Sequence, residues 1–158
     1  KQPDMAIINA LMWIGANVSI RENSVEVSHN ELQAFHFDAT HCPDLFPPLV
    51  ALAAHCEGES RILGVSRLRA KESDRAKTLQ DEFAKLGIDI KIHGELMLVT
   101  GGKVKSATVN SHSDHRIAMA CAIAALKAEG EVIIEGVECI AKSYLEFFAN
   151  LASLSVGV

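Results

Sequence analysis

The sequence predicts a mixed α/β fold (α+β in the order of its elements), built as a tandem repeat. Three observations carry this reading. The chain matches itself without gaps when shifted by 72 positions. Helical and strand-like patterns alternate at the same places in both copies, and glycines or turn-forming residues stand at the matching joints. "ALMWIGANVSIRENSVEV" (10–27) falls on "EFAKLGIDIKIHGELMLV" (82–99), so that Gly15 meets Gly87, Ile20 meets Ile92 and Val27 meets Val99. "ALAAHCEGESRILGV" (51–65) falls on "IAALKAEGEVIIEGV" (123–137), with Glu57-Gly58-Glu59 on Glu129-Gly130-Glu131. Ile62, Gly64 and Val65 meet Ile134, Gly136 and Val137 in the same frame.

Each copy reads in the same order. An amphipathic helix comes first and stops at Gly15 or Gly87, where a left-handed residue ends the helix without steric cost. Two short strands follow as a hairpin, 17–21 with 24–28 and 88–92 with 96–99, turning at "RENS" and "HGE". A third strand is expected at 35–38 and 107–110, then an Ala-rich helix at 45–56 and 115–128, stopped at Gly58 or Gly130. A last strand at 60–64 and 131–135 closes the unit. "KSYLEFFANLASL", from Lys142 onward, starts the first helix of a third unit. Strands alternating with helices at this spacing make a sheet-and-helix unit, not an all-helical solenoid.

Bulk properties narrow the function classes. With 158 residues, 49% of them apolar, the chain can bury a core as one domain over 1–158. A net charge of −5 argues against a general nucleic-acid surface. No apolar run is long enough to cross a membrane. Cys42, Cys56, Cys121 and Cys139 form no C-x-x-C pair, and three lie in or beside apolar segments, as expected of free thiols in a reducing, cytoplasmic compartment. The chain opens at Lys1 without an initiator Met and reads as a piece of a longer protein.

The copies differ most at the junctions leading into the helices, and these differences point to function. In "ATHCPDLFPPL", Asp44 is expected to cap the helix, with Pro47 and Pro48 tolerated in its first turn. The matching junction of the second copy, "NSHSDHRIA", sets Arg116 opposite Asp44. Between the copies, "RLRAKESDRAKTL" has Lys71 and Glu72 opening a helix, Ser73 or Asp74 capping it and Arg75 one turn on. Lys71, Arg75, His115, Arg116 and Lys142 thus all stand at helix entrances, where the helix dipole disfavours cations. That arrangement calls for an anion, such as a phosphate or carboxylate held by guanidinium forks and free amides. Asp44 and Glu72 are then candidates for proton transfer. His112 and His115, spaced H-x-x-H, lack the third and fourth ligands of a zinc site, and no metal is expected.

Four segments, "CPDLFPPLVALAA", "RLRAKESDR", "SDHRIAMA" and "CIAKSYLEFF", resemble the 5-enolpyruvylshikimate-3-phosphate synthase family over its carboxyl-terminal half. The resemblance implies tandem βαβαββ-type units of an inside-out α/β barrel, with helices buried and sheets outside. It implies transfer of the enolpyruvyl group of phosphoenolpyruvate to the 5-hydroxyl of shikimate 3-phosphate, with release of phosphate and without a metal or other cofactor, in a family that is the target of glyphosate. Carried over by motif, Asp44 contacts the shikimate hydroxyls and takes up the attacking proton, and Glu72 serves proton transfer at the methylene carbon of phosphoenolpyruvate. Lys71 binds the shikimate substrate. Arg75, Arg116 and Lys142 hold the phosphate and carboxylate of phosphoenolpyruvate, with His115 beside them. Arg67 stands where some members carry a neutral polar residue, and no role is assigned to it. The resemblance also implies an amino-terminal half of the same chain as a partner, without which turnover is expected to be negligible. Two competing readings are an enolpyruvyl transferase acting on UDP-N-acetylglucosamine and a non-catalytic α/β repeat module that binds anions or proteins.

Overall fold

The computed structural model describes residues 3–69 and 71–154. In chain order the elements are α1 (Ile7–Trp13), β1 (Asn17–Ile20), β2 (Val25–Ser28), β3 (His36–Asp38), α2 (Phe46–Ala54) and β4 (Glu59–Leu63). The second copy supplies α3 (Arg75–Lys85), β5 (Asp89–His93), β6 (Leu96–Thr100), β7 (Ala107–Asn110), α4 (His115–Ala125) and β8 (Val132–Glu135). α5 (Phe147–Leu154) follows, and short 3₁₀ segments occupy Pro3–Ala6, Pro43–Leu45, Val65–Leu68 and Val137–Lys142. The repeat order read from the sequence is therefore the order of the fold.

The sheets show how consecutive copies interlock. β3 and β4 run parallel with α2 crossing between them, and β7 and β8 run parallel with α4 crossing between them. β6 pairs antiparallel with β4 on one side and with β5 on the other, giving a sheet in the order β3-β4-β6-β5. That sheet joins the parallel pair of copy one to the hairpin of copy two. The β1–β2 hairpin and the β7–β8 pair are two-stranded sheets, each half of the same pattern.

The helices lie inside. α2 carries seven buried residues among its nine, and α4 seven among its eleven, because Ala, Leu, Ile and Cys leave almost no polar face. In β4, by contrast, only Ser60 and Ile62 are buried and alternate with exposed neighbours, so this strand covers the helices with one face and meets solvent with the other. One core gathers residues of α2, α3, α4 and the four-stranded sheet, including Phe46, Leu49, Ile62, Leu79, Phe83, Met97 and Ile117. A smaller cluster of Ala118, Ala122, Cys139, Ile140 and Phe147 seats α5. All four cysteines are buried and free. No helix among the described residues is long and apolar enough to cross a membrane.

Strand ends shift by at most a residue from expectation, and helix ends shift further. Gly15 and Gly87 do end α1 and α3 with φ of +93° and +81°. α4, however, closes at Ala125 instead of 128, because Leu126 and Ala128 donate to Ile123 and Ala125, three residues back. The tightened turn ends the helix before Gly130, whose φ is not positive, and Gly58 likewise stands beyond the end of α2 at Ala54. α3 begins at Arg75, so Lys71 and Glu72 precede the helix rather than open it; Asp74 is its cap, accepting from the Lys77 amide at 3.3 Å. Lys142 closes a 3₁₀ segment and α5 starts only at Phe147.

Candidate active site

The amino end of α4 meets the approach to α3 and the 3₁₀ turn before α2. Asp44 sits in that 3₁₀ turn and caps no helix, contrary to expectation: Leu45 occupies the cap position of α2, without a side-chain cap. Its carboxylate is taken up by cations instead. Oδ1 lies 2.7 Å from Arg75 Nη1 and 3.2 Å from Lys71 Nζ, and Oδ2 lies 3.1 Å from Arg116 Nη2. The two residues matched by the 72-position shift, Asp44 and Arg116, thus form an ion pair between the turn before α2 and the first turn of α4. Burial pushes the Asp44 carboxyl up, but Lys71, Arg116 and Arg75 together outweigh it and hold it below the usual carboxylate range.

Arg75, whose side chain is 3% exposed, is the hub. Its Nε donates to Asp114 Oδ2 at 2.7 Å and its Nη2 to Asp114 Oδ1 at 3.2 Å, a two-pronged pairing. Its Nη1 donates to Asp44. Asp114 is completely buried and also accepts from Ser73 Oγ at 3.0 Å and, as the cap of α4, from the Arg116 amide at 3.0 Å. Burial alone would raise the Asp114 carboxyl; the Arg75 guanidinium, then the Arg116 amide and Ser73, bring it below the ordinary value. Burial likewise works against the charge of Arg75, and Asp114 with Asp44 restores and strengthens it.

Glu72 and His115 form the other flank. Glu72 is half exposed and brings Oε2 to 2.9 Å from His115 Nδ1 and 4.0 Å from Arg75 Nη2. The imidazole is nearly buried, and Nδ1 has no aligned hydrogen-bond partner, so the pair is close without a formed bond. Glu72, Asp114 and His115 bring three donor atoms within 4.8 Å of one another, a spacing that could suit a cation. Asp114 already accepts from Arg75, Ser73 and the Arg116 amide, and a cation here would displace a buried guanidinium; the donor set does not fit a metal.

Of the sequence-predicted residues, the fold gathers Asp44, Lys71, Glu72, Arg75, His115 and Arg116. Lys142 is exposed, and its side chain has no hydrogen bond or ion pair among the described residues. The expectation of bare cations facing an anion is revised: Asp44, Glu72 and Asp114 lie against Lys71, Arg75 and Arg116. Asp114 and Ser73 were missed as site residues. The available signal was position, since an acid directly before a buried helix, two residues ahead of Arg116, caps that helix and can anchor a buried arginine.

Mixed charge thus gathers at the ends of buried helices, within α/β repeats that share one sheet. The family model for EPSP synthase (3-phosphoshikimate 1-carboxyvinyltransferase) matches residues 1–151. The chain belongs to this family. It is 43% identical over 150 residues to the 3-phosphoshikimate 1-carboxyvinyltransferase of Pyrococcus abyssi, covering 95% of this chain and 36% of the relative. It is 39% identical over 160 residues to that of Methanocella arvoryzae, covering 100% of this chain and 38% of the relative. Among solved structures, EPSP synthase from Acinetobacter baumannii superposes with a TM-score of 0.86 at 27% identity, over 98% of this chain and 39% of that one. An enolpyruvyl transferase from Streptomyces tendae, at 21% identity and a TM-score of 0.71, shares the fold. The chain therefore spans a little over a third of the length of the curated relatives it matches.

Proposed function

We propose that this chain supplies the carboxyl-terminal part of an enzyme that transfers the enolpyruvyl group of phosphoenolpyruvate to the 5-hydroxyl of shikimate 3-phosphate, releasing phosphate. One observation carries the reading: in a member of this family, Lys71, Arg75 and Arg116 converge on Asp44 within 3.2 Å, with the Glu72–His115 pair at 2.9 Å alongside. Residues 1–158 would be most of one domain, completed by the rest of the chain, and the four buried free thiols fit a reducing, cytoplasmic setting.

The chemistry follows from the charges. The substrate hydroxyl attacks C2 of phosphoenolpyruvate and loses its proton to Asp44, while C3 gains a proton from Glu72. The tetrahedral adduct then loses phosphate as the Glu72 carboxylate takes a proton back from C3, restoring the double bond in the product. Asp44 is a poor base while three cations hold its carboxyl low. Those same cations are the groups an incoming phosphate or carboxylate attracts. Phosphoenolpyruvate bound at Arg75, Arg116 and Lys142 draws the two guanidinium groups off Asp44 and raises its basicity when the hydroxyl arrives, with Lys71 on the shikimate side. Glu72, half exposed beside His115, is the more accessible acid. The charges are already oriented, so little reorganisation is needed during reaction.

The test is a substrate competition with the full-length enzyme. Phosphate release is expected with shikimate 3-phosphate and not with UDP-N-acetylglucosamine. Release only with the sugar nucleotide would replace this reading by the related transferase. No release with either would leave a non-catalytic anion-binding module.

A further inference from the structure

Among the described residues, the buried acidic and basic side chains are Arg75, Glu82, Asp114 and His115. Three belong to the site above; Glu82 does not. It lies on α3, seven residues after Arg75 and so about two turns along the same face. Its Oε2 accepts the backbone N–H of Asn110 at 2.9 Å, and its Oε1 lies 2.7 Å from His112 Nε2. Lys85 Nζ, one turn on, reaches both oxygens at 2.9 and 2.7 Å. Burial pushes this carboxyl up, and Lys85, His112 and the Asn110 amide outweigh it.

The segment that Glu82 grips is strained. His112 and Ser113 both adopt left-handed backbone, with φ of +51° and +59°, a conformation that costs energy for residues with a side chain. Local bonds support it: the His112 amide donates to Asn110 Oδ1 at 2.7 Å and the Ser113 amide to Ser111 Oγ at 3.2 Å. Immediately after this turn come Asp114, His115 and Arg116. α3 thus holds the β7–α4 connection at two points, by Arg75 at Asp114 and by Glu82 at Asn110 and His112.

We propose that Glu82 is a positioning residue, which with His112 latches the left-handed 112–113 turn to α3 and so sets where His115 and Arg116 stand relative to Asp44 and Glu72. It touches no reacting atom. Two carboxylate oxygens suit the task, because one takes a backbone amide and the other a ring nitrogen; a glutamine has only one acceptor oxygen. The inference rests on the enolpyruvyl-transfer reading, in which His115 and Arg116 face phosphoenolpyruvate while Lys71 and Asp44 face shikimate 3-phosphate.

Steady-state kinetics of the full-length enzyme with Glu82→Ala, Glu82→Gln and His112→Ala test it. Glu82→Ala is expected to lower kcat/KM for phosphoenolpyruvate by about 100-fold, the usual consequence of displacing site groups by about an ångström. KM for phosphoenolpyruvate should rise and KM for shikimate 3-phosphate should stay, with Glu82→Gln and His112→Ala intermediate. A purely structural role would lower the amount of active enzyme and leave both KM values unchanged, and that result overturns the proposal, as would wild-type kinetics. If Glu82→Ala does not fold, the other two variants carry the test. If the wild-type enzyme itself does not turn over this substrate pair, the functional reading fails and amide hydrogen exchange decides the latch. Exchange at 110–116 about 10-fold faster in Glu82→Gln, with β5 and β6 unchanged, supports it, and unchanged exchange there overturns it.

Discussion

Asp114 and Arg75 form the most deeply buried ion pair among the described residues. With Asp114 wholly buried and Arg75 nearly so, removing one partner leaves the other charged and uncompensated. Asp114→Ala in the full-length protein should therefore cost about 3–5 kcal/mol of stability, read as a shift in denaturant midpoint. Glu72 is half exposed, so Glu72→Gln should leave the same midpoint within about 0.5 kcal/mol. Acid adds a second check. The Asp44, Glu82 and Asp114 carboxyls are all held below their ordinary values in the folded state, so the unfolded chain binds more protons on acidification. Their contribution is complete above the unfolded-state values, near pH 4, and is lost as pH falls through the lower folded-state values. Stability should be steady down to about pH 5 and fall below about pH 4, with a shallower slope in Asp114→Asn. A slope unchanged in that variant would contradict the assignment. Asp44, Lys71, Glu72, Arg75, His115 and Arg116, which the fold gathers, were legible in the sequence because each stands at a junction leading into a helix. Glu82 was not, because an acid inside an amphipathic helix reads as part of the solvated face, and nothing local says which neighbour will cover it.

At the scale of elements, the repeat was legible because its hydrophobic periodicity and its two helix-stopping glycines recur in one frame. Helix ends were less so, since they depend on where hydrogen bonds switch from four to three residues back, as at Leu126. The loop after β6 has a tighter requirement. A β-carbon on Gly101 would lie 1.9 Å from the carbonyl oxygen of Cys56 and 2.7 Å from that of Ala53, at the end of α2, whereas one on Gly102 would meet nothing within 4 Å. Gly101→Ala should destabilise the full-length protein by about 1–3 kcal/mol or more through forced backbone movement. Gly102→Ala should stay within about 0.5 kcal/mol. Thermal melts of the two variants side by side check this; equal melting temperatures would contradict the close approach of the loop to α2.

At the scale of the whole molecule, the four-stranded sheet shows that a hairpin from one copy completes the parallel pair of the copy before it. β1–β2 and β7–β8 are unpartnered halves of that pattern among the described residues, and Ile20, Val25, Val27 and Ile133 on them are exposed. With the chain spanning 36% of a curated relative, residues 1–158 alone should show no phosphate release from phosphoenolpyruvate and shikimate 3-phosphate, while the full-length enzyme does. Turnover by the isolated piece at full-length rates would contradict the dependence on the rest of the chain. No local pattern in the sequence reveals this, since pairing across copies is a property of the assembled sheets. If the ends of buried helices assemble a proton-transfer site among paired charges, kcat for phosphate release in the full-length Glu72→Gln enzyme should fall about 10²–10⁴-fold with substrate KM values little changed, the size of a lost general acid–base group. A kcat equal to wild type would contradict it.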